Sequence, residues 1–424
     1  MPKRISDANS TPIKVVFVTM DDHLSGAVDR ARIMLRKDYP GLTLVLHAAA
    51  EWDEDGALAR CRADIETADI LIVTMLFMED HIRPVFDALM ARRDHCDAVA
   101  ACLSSSEVVK LTRLGRFSMS GNQSGAIAFL KRLRGKSDKP GAQGAHQMKM
   151  LRRLPQILRF IPGTAQDMRA YFLTLSYWLA GSDGNVANMV RQLIDRYADG
   201  PRKVLRGTVK VAPPVDYPDC GLYHPRAKGR IVEDIKALPR NANARGTVGL
   251  LLMRSYLLAG NHAHYDAVIA SLEARGLNVV PVFAAGLDAR PAIEQYFFAQ
   301  GRVTIDAFVS LTGFSLVGGP AYNDAKAAET MLARLDVPYI AAHALEFQTL
   351  ESWRTSPRGL HPVETTMMIS IPELDGATGP LVFGGRSDNG TRDMVPDQGR
   401  IAIDRKSTRL NSSHTATSRM PSSA

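Results

Sequence analysis

The chain has 424 residues, enough for two or three domains with a large buried core. Its 46% hydrophobic and 23% charged fractions exclude a disordered, fibrous or collagen-like protein. The net charge of +8 does not describe a folded basic face: residues 131–159 hold nine Lys/Arg against Asp138 alone, and the last twenty residues hold Arg405, Lys406, Arg409 and Arg419 with no acid, which leaves −4 on the remainder.

Four cysteines, Cys61, Cys96, Cys102 and Cys220, form no C-x-x-C pair and read as reduced thiols rather than a disulfide framework. The opening "MPKRISDANSTP" lacks an apolar signal core, and Asp7 argues against a transit peptide. The most apolar stretch, "AYFLTLSYWLA" at 170–180, has eleven residues, whereas a bilayer span takes about 20. A soluble, cytoplasmic chain with no transmembrane segment is expected.

"IKVVFVTM" (13–20) predicts a buried strand and "SGAVDRARIMLRKDYPG" a helix stopped by Pro-Gly. Strands follow at 42–48, 69–76 and 98–104, with helices within 54–67 and at 79–93 between them. Strict alternation indicates a parallel sheet with helices on both faces, whose ligands sit beyond the carboxyl ends of the strands. The loops at that edge carry Asp21, Asp22, Glu51, Asp53, Glu54, Asp55, Glu79 and Asp80, with His23 and His81 among them. Such oxygens suit a hard cation, but helix capping accounts for most of these positions, so no metal site is assigned.

Residues 131–147, "KRLRGKSDKPGAQGAHQ", read as an exposed basic linker. Its "GKS" at 135–137 is not a phosphate-binding loop, because Leu130 stands where that motif needs glycine. No aromatic residues alternate with the basic run, so nucleic acid is not an expected partner. Helices dominate 148–200, where Tyr171, Phe172, Leu175, Trp178 and Leu179 form a stripe best read as packing. After the irregular "VAPPVDYPDCGLYHPRAKG" (211–229), a second series runs through strands at 247–255, 278–286, 304–313 and 337–343 and helices at 262–275, near 290–300 and up to about 335. Further strands are expected near 363–371 and 380–384. The fold class is therefore α/β, with two parallel-sheet regions separated by a basic linker and a helical segment. The expected divisions are an N-terminal α/β domain at 1–130, the linker at 131–147, a connecting region at 148–229, a second α/β domain at 230–404 and a disordered tail at 405–424.

"SLTGFSLVGGPAYNDA" (310–325) leads a strand into a turn bearing Gly313, Gly318 and Gly319, with a helix expected near Pro320. Bare backbone at a helix start suits a carboxylate or phosphate, and Tyr322 and Asn323 lie in the same turn. His343 and Glu346 follow the next strand, and His361 and Glu364 come shortly after. A histidine and a carboxylate at one mouth can move protons. His262 and His264 alternate like ligands but lack a third partner. Gly313, Gly318, Gly319, Tyr322, Asn323, His343 and Glu346 are the candidate substrate-binding residues, while catalytic residues stay unassigned.

"LTGFSLVGGPAYNDA", "VPYIAAHALEFQTLESW", "HPVETTMMISIPELDGATGPLVFGGR" and "DILIVTMLFMEDHIRPV" together resemble the magnesium chelatase large-subunit family, which is related to the cobaltochelatase large subunits. The likeness runs in order from about residue 13 to Asp404, and Ala344 replaces an expected proline. It implies a porphyrin-binding subunit, with Mg²⁺ and protoporphyrin IX as substrates. It also implies ATP hydrolysis on an AAA+ partner, a second smaller partner subunit, and a place in bacteriochlorophyll synthesis. Family members are roughly three times as long, so the chain is expected to be an inactive N-terminal fragment. "RKSTRLNSSHTATSRMPSSA" (405–424) is expected to be non-native. The alternative reading is a stand-alone two-domain α/β protein that senses a small anion.

Overall fold

The computed structural model describes residues 11–20, 24–52, 55–120, 154–319, 322–388 and 393–401. Asp21, Asp22, His23, Asp53, Glu54, Pro320, the 131–147 linker and the 405–424 tail lie outside the described residues. No described helix is long and apolar enough to cross a membrane. The chain forms two compact units, Met1–Asp216 and Tyr217–Ala424.

In the first unit, β1 (Ile13–Thr19), α1 (Ser25–Asp38), β2 (Leu42–Ala48), α2 (Ala57–Thr67), β3 (Ile70–Thr74), α3 (Glu79–Arg93) and β4 (Ala98–Cys102) alternate as the hydrophobic pattern requires. The short helix α4 (Ser106–Val109) and strands β5 (Arg113–Leu114) and β6 (Phe117–Ser118) follow. The sheet order is β2-β1-β3-β4-β5-β6, parallel through β4 and antiparallel beyond it. Strands β3 and β4 are buried along their whole length, as interior parallel strands covered on both faces must be.

Helices α5 (Thr164–Ala180) and α6 (Asp183–Tyr197) belong to this unit rather than to a separate connecting region. The apolar stripe of α5 is core: Tyr171, Phe172, Leu175 and Trp178 are buried, and the Trp178 ring stacks on Phe17 at 6.1 Å. Arg191 of α6 donates to Asp38 Oδ2 at 2.6 and 2.8 Å, which fixes α6 against α1. Arg202, in the 3₁₀ turn Gly200–Leu205, pairs with Asp97 at 2.8 Å and Asp69 at 3.2 Å near the amino ends of β4 and β3.

The second unit opens with β7 (Cys220–Tyr223) and β8 (Ile231–Val232), then β9 (Thr247–Met253), α7 (Arg254–Leu258), α8 (Ala263–Ala274), β10 (Asn278–Ala284) and α9 (Arg290–Tyr296). A small β11–β12 hairpin (Phe298–Ala299, Arg302–Val303) precedes β13 (Ala307–Ser310). Next come β14 (Gly318–Gly319), β15 (Tyr322–Asn323), α10 (Ala325–Leu335), β16 (Tyr339–Thr349), α11 (Leu350–Thr355), β17 (Thr378–Arg386) and β18 (Met394–Pro396). The sheet order is β18-β17-β16-β13-β9-β10-β7-β8. Its five inner strands are parallel, and antiparallel β7, β8 and β18 close the edges. One face packs Leu251, Phe308 and Tyr339 under α9 and α10, and the other packs Leu250, Leu252 and Phe283 under α8.

Two expectations change here. Residues 363–371 are helical, not a strand: Pro362–Glu364, a π-turn at Thr365–Ser370 and Ile371–Leu374 run on as one segment. Pro362 presets the first helical position, and His361 Nδ1 accepts the Val363 amide at 3.3 Å, so local capping prevails over the β-branched run. The helix expected near Pro320 starts instead at Ala325, because Asp324 Oδ1 accepts the Ala327 amide at 3.0 Å. Gly318 and Gly319 pair with Asn323 and Tyr322 as a hairpin before it.

Candidate functional site

In the second sheet β10 lies on one side of β9 and β13 on the other, so the strand order reverses beside β9. A crevice opens outside the carboxyl ends of the strands at such a reversal, where the preceding and following helices leave in opposite directions. The residues after β13 and β16 bound it.

Gly313 takes a left-handed φ of +67° three residues beyond β13. A Cβ there would lie 3.1 Å from His343 Cβ and 3.2 Å from Met368 Cγ, so the close approach itself requires glycine. His343 is 1% exposed, and neither ring nitrogen has a hydrogen-bond partner among the described residues. Burial pushes its pKa down to about 4, which keeps the imidazole neutral at pH 7. Met368, buried on the π-turn, covers this corner.

The Gly318–Asn323 hairpin is anchored from below. Ser315 Oγ lies 2.6 Å from both Asp375 Oδ2 and Asn323 Oδ1, and the Leu316 amide donates to Asp375 at 2.8 Å. One hydroxyl proton serves one acceptor, and a rotated Asn323 amide donates to the same serine oxygen. Asp375 is buried, its Oδ1 has no hydrogen-bond partner among the described residues, and burial raises its pKa. Gly318 has φ +141° and donates its amide to Leu287 O at 2.7 Å. Tyr322 supplies backbone to the hairpin, and its side chain lies outside the described residues.

Glu346 projects elsewhere. Tyr256 Oη donates to its Oε1 at 2.8 Å, and Tyr256 belongs to the α8-side core, whereas His343 lies on the other face of β16 between Ala342 and Ala344. The candidates therefore divide into a Gly313–His343 corner, a Ser315–Asn323–Asp375 knot and a Tyr256–Glu346 pair. Glu364 is fully buried; its carboxylate accepts the Glu346 and Phe347 amides at 2.8 and 3.1 Å and the Gln348 side chain at 2.8 Å. Burial raises its pKa against the pull of those donors. Glu364 and Asp375 thus pin the two ends of the segment that places Met368 over the crevice.

His262 and His264 do not converge. His262 bridges Asp266 at 2.8 Å and Arg230 at 2.6 Å, while buried His264 stacks on Phe383 at 5.6 Å. Among the described residues no group of three His, Cys, Asp or Glu could hold a metal ion. A cleft of about 560 Å³ lies at the opposite edge of this sheet, near Thr247 and Asn278, away from these groups. Ser315, Met368, Tyr256 and Asp375 were not among the sequence candidates; Asp375 lies 60 residues from Ser315, and no local pattern joins them.

Replacing Gly313 by alanine is expected to destabilise the second unit by about 1–2 kcal/mol, from the left-handed backbone together with crowding against His343. An unchanged urea midpoint for the second unit would remove the packing account of this glycine.

An open doubly wound unit with a buried polar corner at its carboxyl edge is a ligand-binding α/β architecture. The CobN/Magnesium Chelatase family matches over residues 175–412, more than half of the chain, and a family described as Domain of unknown function (DUF3479) matches over 14–172. The chain belongs to the CobN/magnesium chelatase family. It is 52% identical over 390 residues to the magnesium-chelatase large (H-type) subunit of Cereibacter sphaeroides, covering 92% of this chain and 32% of that protein. The chloroplastic magnesium-chelatase protein ChlH of Oryza sativa is 36% identical over 88% of this chain and 28% of its own length. The aerobic cobaltochelatase protein CobN of Pseudomonas aeruginosa is 31% identical over 43% of this chain and 14% of its own length. The chain spans about a third of the length of the magnesium-chelatase relatives it matches.

Proposed function

We propose that this chain is part of the porphyrin-binding subunit of a magnesium chelatase, which inserts Mg²⁺ into protoporphyrin IX during bacteriochlorophyll synthesis. The 52% identity over 92% of the chain to the Cereibacter sphaeroides protein carries the reading. Mg²⁺ and protoporphyrin IX are the substrates. An AAA+ partner hydrolyses ATP, a second smaller subunit completes the assembly, and the reaction runs in the cytoplasm.

The chemistry explains such a division of labour. Mg²⁺ gives up its hydration water reluctantly, and two pyrrole N–H protons must leave as it enters the macrocycle. In this proposal Gly313, Gly318, Gly319, Tyr322 and Asn323 form a backbone corner for a propionate, while His343 and Glu346 flank it. The fit of that corner to an anion rests on bare backbone at the hairpin and on a polar knot beneath it.

Titration with protoporphyrin IX is expected to quench and shift porphyrin fluorescence, while no magnesium porphyrin accumulates when this chain alone replaces the whole subunit beside its partners and ATP. Turnover by this chain would overturn the second half. Failure of both this chain and the complete subunit to bind porphyrin would overturn the first and favour a small-anion sensor.

A further inference from the structure

The first unit repeats the strand order of the second, and its own reversal lies between the carboxyl ends of β1 and β3. Three buried hydroxyls meet there. Thr19 ends β1 and Thr74 ends β3, each 1% exposed. Val18 is paired with Val73, so the two threonines are neighbours one residue further along. Ser25, 2% exposed, opens α1. None of the three hydroxyls has a hydrogen-bond partner among the described residues.

They share one face of the sheet. Side chains alternate along a strand, so Thr19 points as Phe17 does, toward the face on which Trp178 of α5 stacks. Leu24, the residue before α1, packs at the end of that same helix, where a Cβ on Gly181 would lie 2.8 Å from Leu24 Cδ2. The fourteen-residue helix α1 has no side-chain cap and no acid in its first turn, and Ser25, Gly26 and Ala27 are buried. Its leading amides and the three hydroxyls are all neutral donors directed at one corner.

A buried hydroxyl without a partner carries its full desolvation cost, so three at one strand reversal is an arrangement that a hydrogen-bond acceptor would repay. The rim limits which acceptor. Residues 75–81 carry Glu79 and Asp80 and no Lys or Arg, so nothing there would balance a dianion. Phe77 and Met78, 53% and 48% exposed on the same loop, offer an apolar platform.

We propose that the β1/β3 crevice of the first unit binds a carboxylate carried on an apolar or aromatic body, with the carboxylate on Thr19, Thr74, Ser25 and the amino end of α1. This site goes beyond the chelatase reading, and its failure leaves that reading untouched.

The test is thermal unfolding of the full chain with benzoate, acetate or inorganic phosphate at millimolar concentrations. Wild type and the variants Thr19→Val, Thr74→Val and Ser25→Ala are compared. Benzoate is expected to raise the wild-type Tm more than acetate or phosphate does. Without ligand, the two valine variants are expected to melt at or above wild type, because each loses an unpaired hydroxyl. With benzoate their shift is expected to vanish, and Ser25→Ala to bind about tenfold more weakly. No wild-type shift, a shift surviving in all three variants, or a larger shift with phosphate than with benzoate overturns the assignment. Should one variant fail to fold, the other two carry the comparison.

Discussion

Acidification from pH 7 to pH 5 is expected to cost the second unit on the order of 4 kcal/mol, through two buried imidazoles. Burial holds His343 near pKa 4 and His264 near 3, against 6.5 for an ordinary histidine, and neither has a hydrogen-bond partner among the described residues. Their folded pKa values are depressed, so the stability they allow is complete above pH 6.5 and is lost as pH falls toward the folded values. Each ring then costs about 1.4 kcal/mol per pH unit, or about 2 kcal/mol by pH 5. Glu364 and Asp375 act with the opposite sign. Their raised folded pKa values give stability that is complete below the unfolded values and lost as pH rises, so they offset part of the loss. Urea unfolding at pH 7, 6 and 5 checks this, with His264→Phe/His343→Leu beside wild type. The double variant should show a much flatter profile over that range, and an unchanged slope would assign the acid loss to other groups.

Glu364→Ala is expected to destabilise the second unit by about 3–5 kcal/mol. The substitution strands the buried Glu346 and Phe347 amides and the Gln348 side chain, and leaves a cavity beneath the π-turn. Glu364→Gln keeps the volume and an acceptor oxygen for the two amides, so it should cost about half as much. Chemical denaturation followed by fluorescence separates the two, Trp353 being the tryptophan of the second unit. Equal costs for both substitutions would mean that charge, not amide satisfaction, is what the position supplies.

The parallel cores were legible because continuous β-branched and leucine runs such as "IKVVFVT" and "ILIVT" leave few alternatives to a doubly covered strand. The edges were not. Strands β5, β6, β8 and β18 have two or three residues each, too short for periodicity to register. "VETTMMISI" carries strand-like residues yet is helical, because Pro362, the His361 cap and the tertiary pull on Glu364 outweigh local preference. At the candidate site the glycines were visible as a cluster and Gly313 does hold a left-handed backbone. Its contact with His343 spans thirty residues and the Ser315–Asp375 knot spans sixty, distances over which sequence spacing carries no geometry. Buried hydroxyls such as Thr19 and Thr74 give no sign in sequence at all, since threonine is equally at home in any strand.

The π-turn over the crevice has a mechanical corollary. An α-helix advances about 100° per residue, and a π-turn absorbs one extra residue without lengthening the segment by a full step. Trimming a single residue from Thr365–Ser370 would relax this stretch to ordinary helix and rotate everything after it by roughly a quarter-circle. Asp375 would swing away from Ser315, and the glycine hairpin would lose its tether while Glu364, upstream of the excision, kept its own. The surplus residue therefore works as a phase adjuster, letting two carboxylates eleven positions apart clamp opposite ends of one cover.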